Sequence, residues 1–260
     1  MCQLMAICDN GETNPQFSFK ELKIRGGEKG KHKDGWGIGF YESKKAVIYK
    51  KPEPAFESEL AKRIEDGEIK LKSQIFLAHI RLASSGNQLL ENTHPFKRKL
   101  FDKEWIFAHN GTVGHYQSQN RIFKEDIGDF ETEGQTDSER AFCYILNQLK
   151  NRCTKKSRIE EIAKVIEESA EFISKMGVFN FIMSDSEYLF CFGDNSLYYV
   201  RREFGHDTIT LNDSDYSIKV SDMKRTGERA IIVATLPLTQ EVDWKQINGL
   251  MVFKDGRKIL

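Results

Sequence analysis

A strand that is apolar on both faces cannot lie on a solvated surface, and the stretch from Cys2 to Cys8 reads as such a strand. It must run between two layers of a core, which puts Cys2 at the beginning of a buried strand. Residues 36–41 and 46–50 read as paired strands around a polar turn. Further strands are predicted over 75–81, 105–109, 179–184, 188–192, 197–201, 230–234 and 250–254. A helix is predicted over 56–66. Ser18 and Glu21, and again Thr136 and Glu139, have capping-box spacing, so helices should begin at Ser18, ending near Gly26, and at Thr136. After Thr136, Ala141, Phe142, Ile145, Leu146 and Leu149 recur at helical spacing to about Lys150. Ile159, Ile162, Ala163, Ile166, Ala170 and Ile173 trace one face of the next helix. Strands at both ends with helix groups between them imply two packed sheets covered by helices.

No repeat, low-complexity block or Pro/Gly-rich linker divides the 260 residues, so one domain over residues 2–260 is expected. Lys+Arg and Asp+Glu both number 39, and this balance favours neither nucleic acid nor a membrane surface as partner. Five cysteines without a C-x-x-C pair fit neither a disulfide framework nor a zinc knuckle, and point to reduced thiols in the cytoplasm. No apolar run approaches the roughly 18 residues of a membrane span. The histidines at 32, 79, 94, 109, 115 and 206 follow no ligand spacing, so neither metal nor cofactor is expected. Cys8, Cys143 and Cys191 lie in apolar settings and should be buried, whereas Cys153 should be exposed. Lys29, Lys31, His32 and Lys33 suggest a solvated or substrate-covering loop, with Trp36 and Phe40 in the core.

Position gives Cys2 a second possible role. A small residue after Met1 commonly permits removal of that methionine, and the new terminus would carry a thiol and a free amine together. With reference pKa values of about 8.5 and about 8, proton transfer between them is nearly thermoneutral, so the amine could serve as base. The plainer reading is a strand cysteine that packs as a small hydrophobe.

The surrounding segments weigh against the plainer reading. Met1-Cys2-Gln3-Leu4, Arg25-Gly26-Gly27, Asp34-Gly35-Trp36-Gly37-Ile38, His79-Ile80-Arg81, Glu91-Asn92-Thr93-His94-Pro95-Phe96, Ala108-His109-Asn110-Gly111 and Thr136-Asp137-Ser138-Glu139 follow in that order. Together they resemble the class II glutamine amidotransferases of the N-terminal-nucleophile (Ntn) hydrolase superfamily, and within them the single-domain YafJ-type proteins. The resemblance implies an α+β fold, a four-layer αββα sandwich of two mainly antiparallel sheets covered by helices, with Met1 removed on maturation. It also implies a glutaminase in which Cys2 attacks the γ-amide through a thioester.

Each implied role stands beside a structural one. Arg81, closing a strand, would ordinarily be a surface cation; the resemblance makes it the clamp on the substrate's α-carboxylate, which suits a planar bidentate donor. Ser84 falls where the family often has a hydroxyl near that carboxylate, while Leu82 and Ser85 depart from the Trp and His of some synthase-linked members. Asn110-Gly111 after an apolar strand is a strong hairpin signal, yet in the family the pair forms the oxyanion hole. Asp137 suits a helix's first turn, and the resemblance sets it against the substrate's α-ammonium. His94 matches a histidine of the glutamine pocket wall, or is a packed core histidine.

The resemblance spans the chain and leaves no room for a synthase domain. Three readings follow: a glutaminase delivering ammonia to a separate synthase subunit, a hydrolase of γ-glutamyl amides or peptides, and a non-catalytic binding or assembly protein.

Overall fold

The computed structural model describes residues 2–83, 87–114, 126–205 and 207–260. Two antiparallel sheets are stacked face to face. The first runs β13 (Lys245–Gln246), β9 (Tyr198–Glu203), β12 (Arg229–Ala234), β1 (Gln3–Thr13), β4 (Ser73–Ile80), β2 (Trp36–Glu42), β3 (Lys45–Lys51). The second runs β15 (Arg257–Lys258), β14 (Gly249–Lys254), β8 (Leu189–Gly193), β7 (Gly177–Ser184), β6 (Lys103–Val113), β5 (Phe96–Leu100). β10 (Thr208–Thr210) and β11 (Ser217–Lys219) pair separately, followed by the short α5 (Val220–Met223). Helices α1 (Gln16–Arg25) and α2 (Glu59–Glu65) cover the first sheet, and α3 (Asp137–Arg152) and α4 (Ile159–Ser174) the second. This is the expected αββα sandwich. Among the described residues no helix is long and apolar enough to cross a membrane.

The two-faced apolar character of β1 has a direct cause. Met5 and Ile7 face outward onto Phe19 and Leu22 of α1, while Leu4, Ala6 and Cys8 face inward onto Ile106, Ala108 and Ile182 of the second sheet. Burying each large aliphatic side chain contributes about 1.5–3 kcal/mol, so both faces favour this central position. A third apolar layer joins Phe107 and Phe181 of the second sheet to Phe142, Ile145 and Ile166 of the helices above it.

Several boundaries differ from the sequence expectation. α1 starts at Gln16 behind Pro15, whose carbonyl accepts from Phe19 N at 2.8 Å; Ser18 is buried in the first turn and caps nothing. Proline presets a helical φ and has no N–H to leave unpaired, which outcompetes the downstream cap. α2 begins only at Glu59. Before α3, Thr136 Oγ1 accepts from Glu139 N at 3.2 Å, but the Glu139 carboxylate turns to Glu133 N, Gly134 N and Arg98. That is half a capping box. The 43–44 turn has positive φ at Ser43 and Lys44, 48° and 67°, the handedness that a two-residue hairpin requires. Asn110-Gly111, by contrast, is no turn: β6 runs through it, with Asn110 opposite Asn180 and Gly111 opposite Phe179. Cys8, Cys143 and Cys191 are buried, as are Trp36 and Phe40. Cys153, expected outside, is also buried, because it tucks into the helix-side core after α3.

Candidate active site

One end of the sandwich gathers the start of β1, the end of β4, the 109–111 stretch of β6 and the start of α3. The first of these is held unusually firmly. Leu4 N donates to Thr235 Oγ1 at 2.8 Å, and Thr235 N donates to Leu4 O at 3.1 Å. Arg25, closing α1, donates to Gln3 Oε1 (3.3 Å), Glu21 Oε1 (2.7 Å), Asp213 Oδ2 (2.6 Å) and the carbonyls of Leu236 (3.3 Å) and Pro237 (2.8 Å). A planar fork with five donors suits this convergence of carbonyls and carboxylates. Cys2 therefore stands on a fixed stub of strand. Its Sγ accepts from Leu82 N at 3.3 Å and donates to Leu82 O at 3.4 Å. Burial pushes the thiol pKa up, with the Leu82 hydrogen bond and the nearby Arg81 partly offsetting it.

Cys2 shares a cavity with Arg81, Leu82, Ala83, His94, His109, Gly111, Thr136, Asp137 and Ser138. Arg81 is clipped into position by its main chain: its N–H donates to Gly35 O at 2.7 Å, and Asp34 N–H donates to its carbonyl at 3.2 Å. Its Nη1 donates to Asn87 O at 3.0 Å. Burial lowers the guanidinium pKa, against the opposing influence of Cys2, Asp34 and Asp137. Ser84 lies outside the described residues.

Asp137 heads α3, and its carboxylate accepts from Val113 N at 2.7 Å and Ser138 N at 2.9 Å. The same side chain caps main-chain donors and lines the cavity that Arg81 also lines. Asp137→Asn keeps an acceptor for Val113 and loses the charge. On the role that the resemblance implies for Asp137, this variant is expected to raise KM for glutamine by about tenfold with a smaller change in kcat, matching the worth of one charged hydrogen bond. Steady-state ammonia release measures both.

Asn110 and Gly111 arrive through the β6–β7 ladder. Asn180, opposite Asn110, donates Nδ2 to Asn110 O at 3.2 Å, and its Oδ1 accepts from the N–H groups of Asp194, Asn195 and Ser196. The main chain is thus fixed, while neither polar atom of the Asn110 side chain has a partner among the described residues. Asn110 projects into the layer between the sheets, as alternation from Ile106 and Ala108 requires, and the even-numbered residues of β1 project there too. Gly111 has φ +153°, and a Cβ there would come within 1.8 Å of Val178 O.

Sequence reasoning gave Thr136 only a helix-capping part and assigned no site role to His109, Ser138 or Arg25. His109 Nε2 lies 3.2 Å from Val178 O and can only donate to it, so Nδ1, 2.8 Å from Ser138 Oγ, accepts the hydroxyl proton. The neutral imidazole ties β6 to β7 and to α3, and burial lowers its pKa. His109 and Arg25 sat inside the motifs that carry the resemblance, and that was their signal. The family model for class II glutamine amidotransferases matches residues 1–260. Escherichia coli (strain K12) YafJ is 38% identical over 248 residues, covering 95% of this chain and 94% of that one. Among solved structures, a predicted glutamine amidotransferase from Pseudomonas aeruginosa PA01 superposes with TM-score 0.73 at 29% identity, each chain fully covered. The glutamine phosphoribosylpyrophosphate amidotransferase of B. subtilis shares the fold, with TM-score 0.61 at 16% identity, over 99% of this chain and 48% of its own.

Proposed function

Because this chain belongs to the class II glutamine amidotransferases, we propose that it hydrolyses the γ-amide of glutamine through a γ-glutamyl thioester on Cys2. The observation that carries this reading is the single cavity in which Cys2, Arg81, Gly111 and Asp137 meet from four separate segments of the chain. Arg81 and Asp137 offer opposite charges to the zwitterionic end of glutamine, and the thiol stands where the γ-carbonyl would reach.

The proton acceptor is the amine of Cys2, freed by removal of Met1. A buried thiol whose pKa is raised needs a base of comparable strength, and each unit of mismatch costs about 1.4 kcal/mol. His94 also lines the cavity, but burial holds its pKa well below the ordinary range and makes it a poor acceptor. His109 has both ring nitrogens engaged. An α-amine, with a reference pKa of about 8, matches better.

In the proposed cycle the thiolate attacks the γ-carbonyl, and the oxyanion takes hydrogen bonds from the Asn110 amide and the Gly111 N–H. Ammonia departs, and water activated by the same amine releases glutamate. Asn110→Ala is expected to lower kcat about a hundredfold, an effect of about 3 kcal/mol, with KM nearly unchanged. The direct test is intact mass of the cellular protein followed by labelling with 6-diazo-5-oxonorleucine. A chain lacking Met1 and gaining the label at Cys2 is the expected result; a fully active chain that keeps Met1 refutes the mechanism.

The acceptor of the ammonia divides two versions of this reading. Ammonia release that rises with a co-purifying protein supports a separate synthase subunit. Partner-free cleavage of a γ-glutamyl peptide supports a hydrolase. A Cys2 that resists the diazo reagent supports the third possibility, a binding or assembly protein on the same fold.

A further inference from the structure

Six buried polar side-chain atoms without a hydrogen-bond partner among the described residues belong to just three residues: both ring nitrogens of His79, both of His94, and Nδ2 and Oδ1 of Asn110. Others of this kind, Trp36 Nε1, Ser58 Oγ and Arg229 Nε, occur singly. His79 points from β4 into the layer between the sheets, in step with Ile75 and Leu77, and Asn110 enters the same layer from β6. His94 packs on His79 with ring centroids 4.2 Å apart, and it also lines the cavity of Cys2. All three side chains are buried. The His109 main chain comes near His79, yet neither ring nitrogen of His79 meets hydrogen-bond geometry.

The Asn110 amide has the oxyanion as its proposed partner, but leaving two stacked rings unpaired inside a protein is costly and calls for a shared partner. Burial lowers both imidazole pKa values well below the ordinary range, so each ring is neutral and offers one N–H and one lone pair. Beyond the neighbouring histidines, the charges that bear on the two rings come from cations, Arg81 on both and Lys50 on His94. A cationic guest is therefore disfavoured. A neutral molecule the size of water, able to donate and accept, satisfies both rings.

We propose that His79 and His94 form an internal site for one small neutral hydride, ammonia or water, adjoining the acyl centre on Cys2. The proposal rests on the glutaminase reading, in which ammonia leaves the acyl carbon and water later attacks it. Ammonia held there can also return: its nitrogen bonds to the thioester carbonyl carbon, the C–S bond breaks, and one of its protons passes to the departing sulfur, regenerating glutamine and the thiol.

Partitioning of the thioester tests this. Enzyme is given unlabelled glutamine with 15N-ammonium, and 15N entry into the glutamine amide is divided by glutamate formed. His79→Leu and His94→Leu, each checked for folding by circular dichroism, are expected to change this ratio about fivefold or more, the scale of one lost neutral hydrogen bond. A fall identifies ammonia as the guest; a rise with accumulating acyl-enzyme identifies water. His94→Gln, which keeps a donor and an acceptor, should stay close to wild type. An unchanged ratio in both folded leucine variants overturns the proposal. A high-resolution crystal structure of the wild-type protein in ammonium chloride judges the site separately. An ordered peak within hydrogen-bond reach of His79 and His94 is expected, and a dry space there overturns the proposal even if the leucine variants fail to fold. Failure of the glutaminase reading would show instead as wild-type Cys2 left unlabelled by 6-diazo-5-oxonorleucine.

Discussion

Cys2→Ala is expected to reduce glutamine hydrolysis by at least about 10⁴-fold, since removing the nucleophile of a well-studied protease costs about 10⁶ in kcat. Alanine is also small enough for Met1 to be removed, so the amine persists and the sulfur alone is lost. The side chain's hydrogen bonds are both to Leu82, and the strand behind it is held by Thr235 and by Arg25 through Gln3. Thermal stability should therefore change by less than about 1 kcal/mol. Ammonia release and a circular dichroism melt give the two readings. Residual activity above about one per cent would mean that the chemistry does not pass through Cys2, since a lost covalent nucleophile leaves far less.

The second large effect is structural. A Cβ added at Gly111 would lie 1.8 Å from Val178 O and 2.8 Å from His109 Nε2. The first contact is with main chain locked in the β6–β7 ladder, so no flexible side chain can move aside to admit it. Gly111→Ala is accordingly expected to cost about 3–5 kcal/mol, at the severe end for a single substitution. It should also abolish turnover, because any relief moves the N–H proposed to bind the oxyanion. Denaturant unfolding followed by tryptophan fluorescence measures the first part. A loss below about 1 kcal/mol would show that the ladder shifts freely, and would weaken the case for a rigid oxyanion donor here.

How legible was this in the sequence? The strands of the sandwich core announced themselves, because Cys2 to Cys8 and residues 179–184 are apolar enough that only burial suits them. The edges did not. β5 reads Phe96, Lys97, Arg98, Lys99, Leu100, with a basic centre typical of a strand that must not recruit another chain, and such a stretch carries little strand signal. At Asn110-Gly111 the local turn propensity was outweighed by pairing with β7. The cavity residues Cys2, Arg81, His94, Gly111 and Asp137 were named from motifs, since bringing positions 2, 81, 94, 111 and 137 together is a matter of topology. Arg25 remained unassigned because its worth lies in where Gln3, Asp213 and Leu236 end up, which no local pattern encodes.

The central place of β1, between β4 and β12, carries a consequence for biosynthesis. The strand that follows Cys2 cannot gain its second neighbour until residues 229–234 have left the ribosome. Until then one edge of β1 is open, and its inward apolar face has to wait for residues 103–113 and 177–184 of the second sheet. On the mechanism proposed for Cys2, reactivity and foldedness then arrive together.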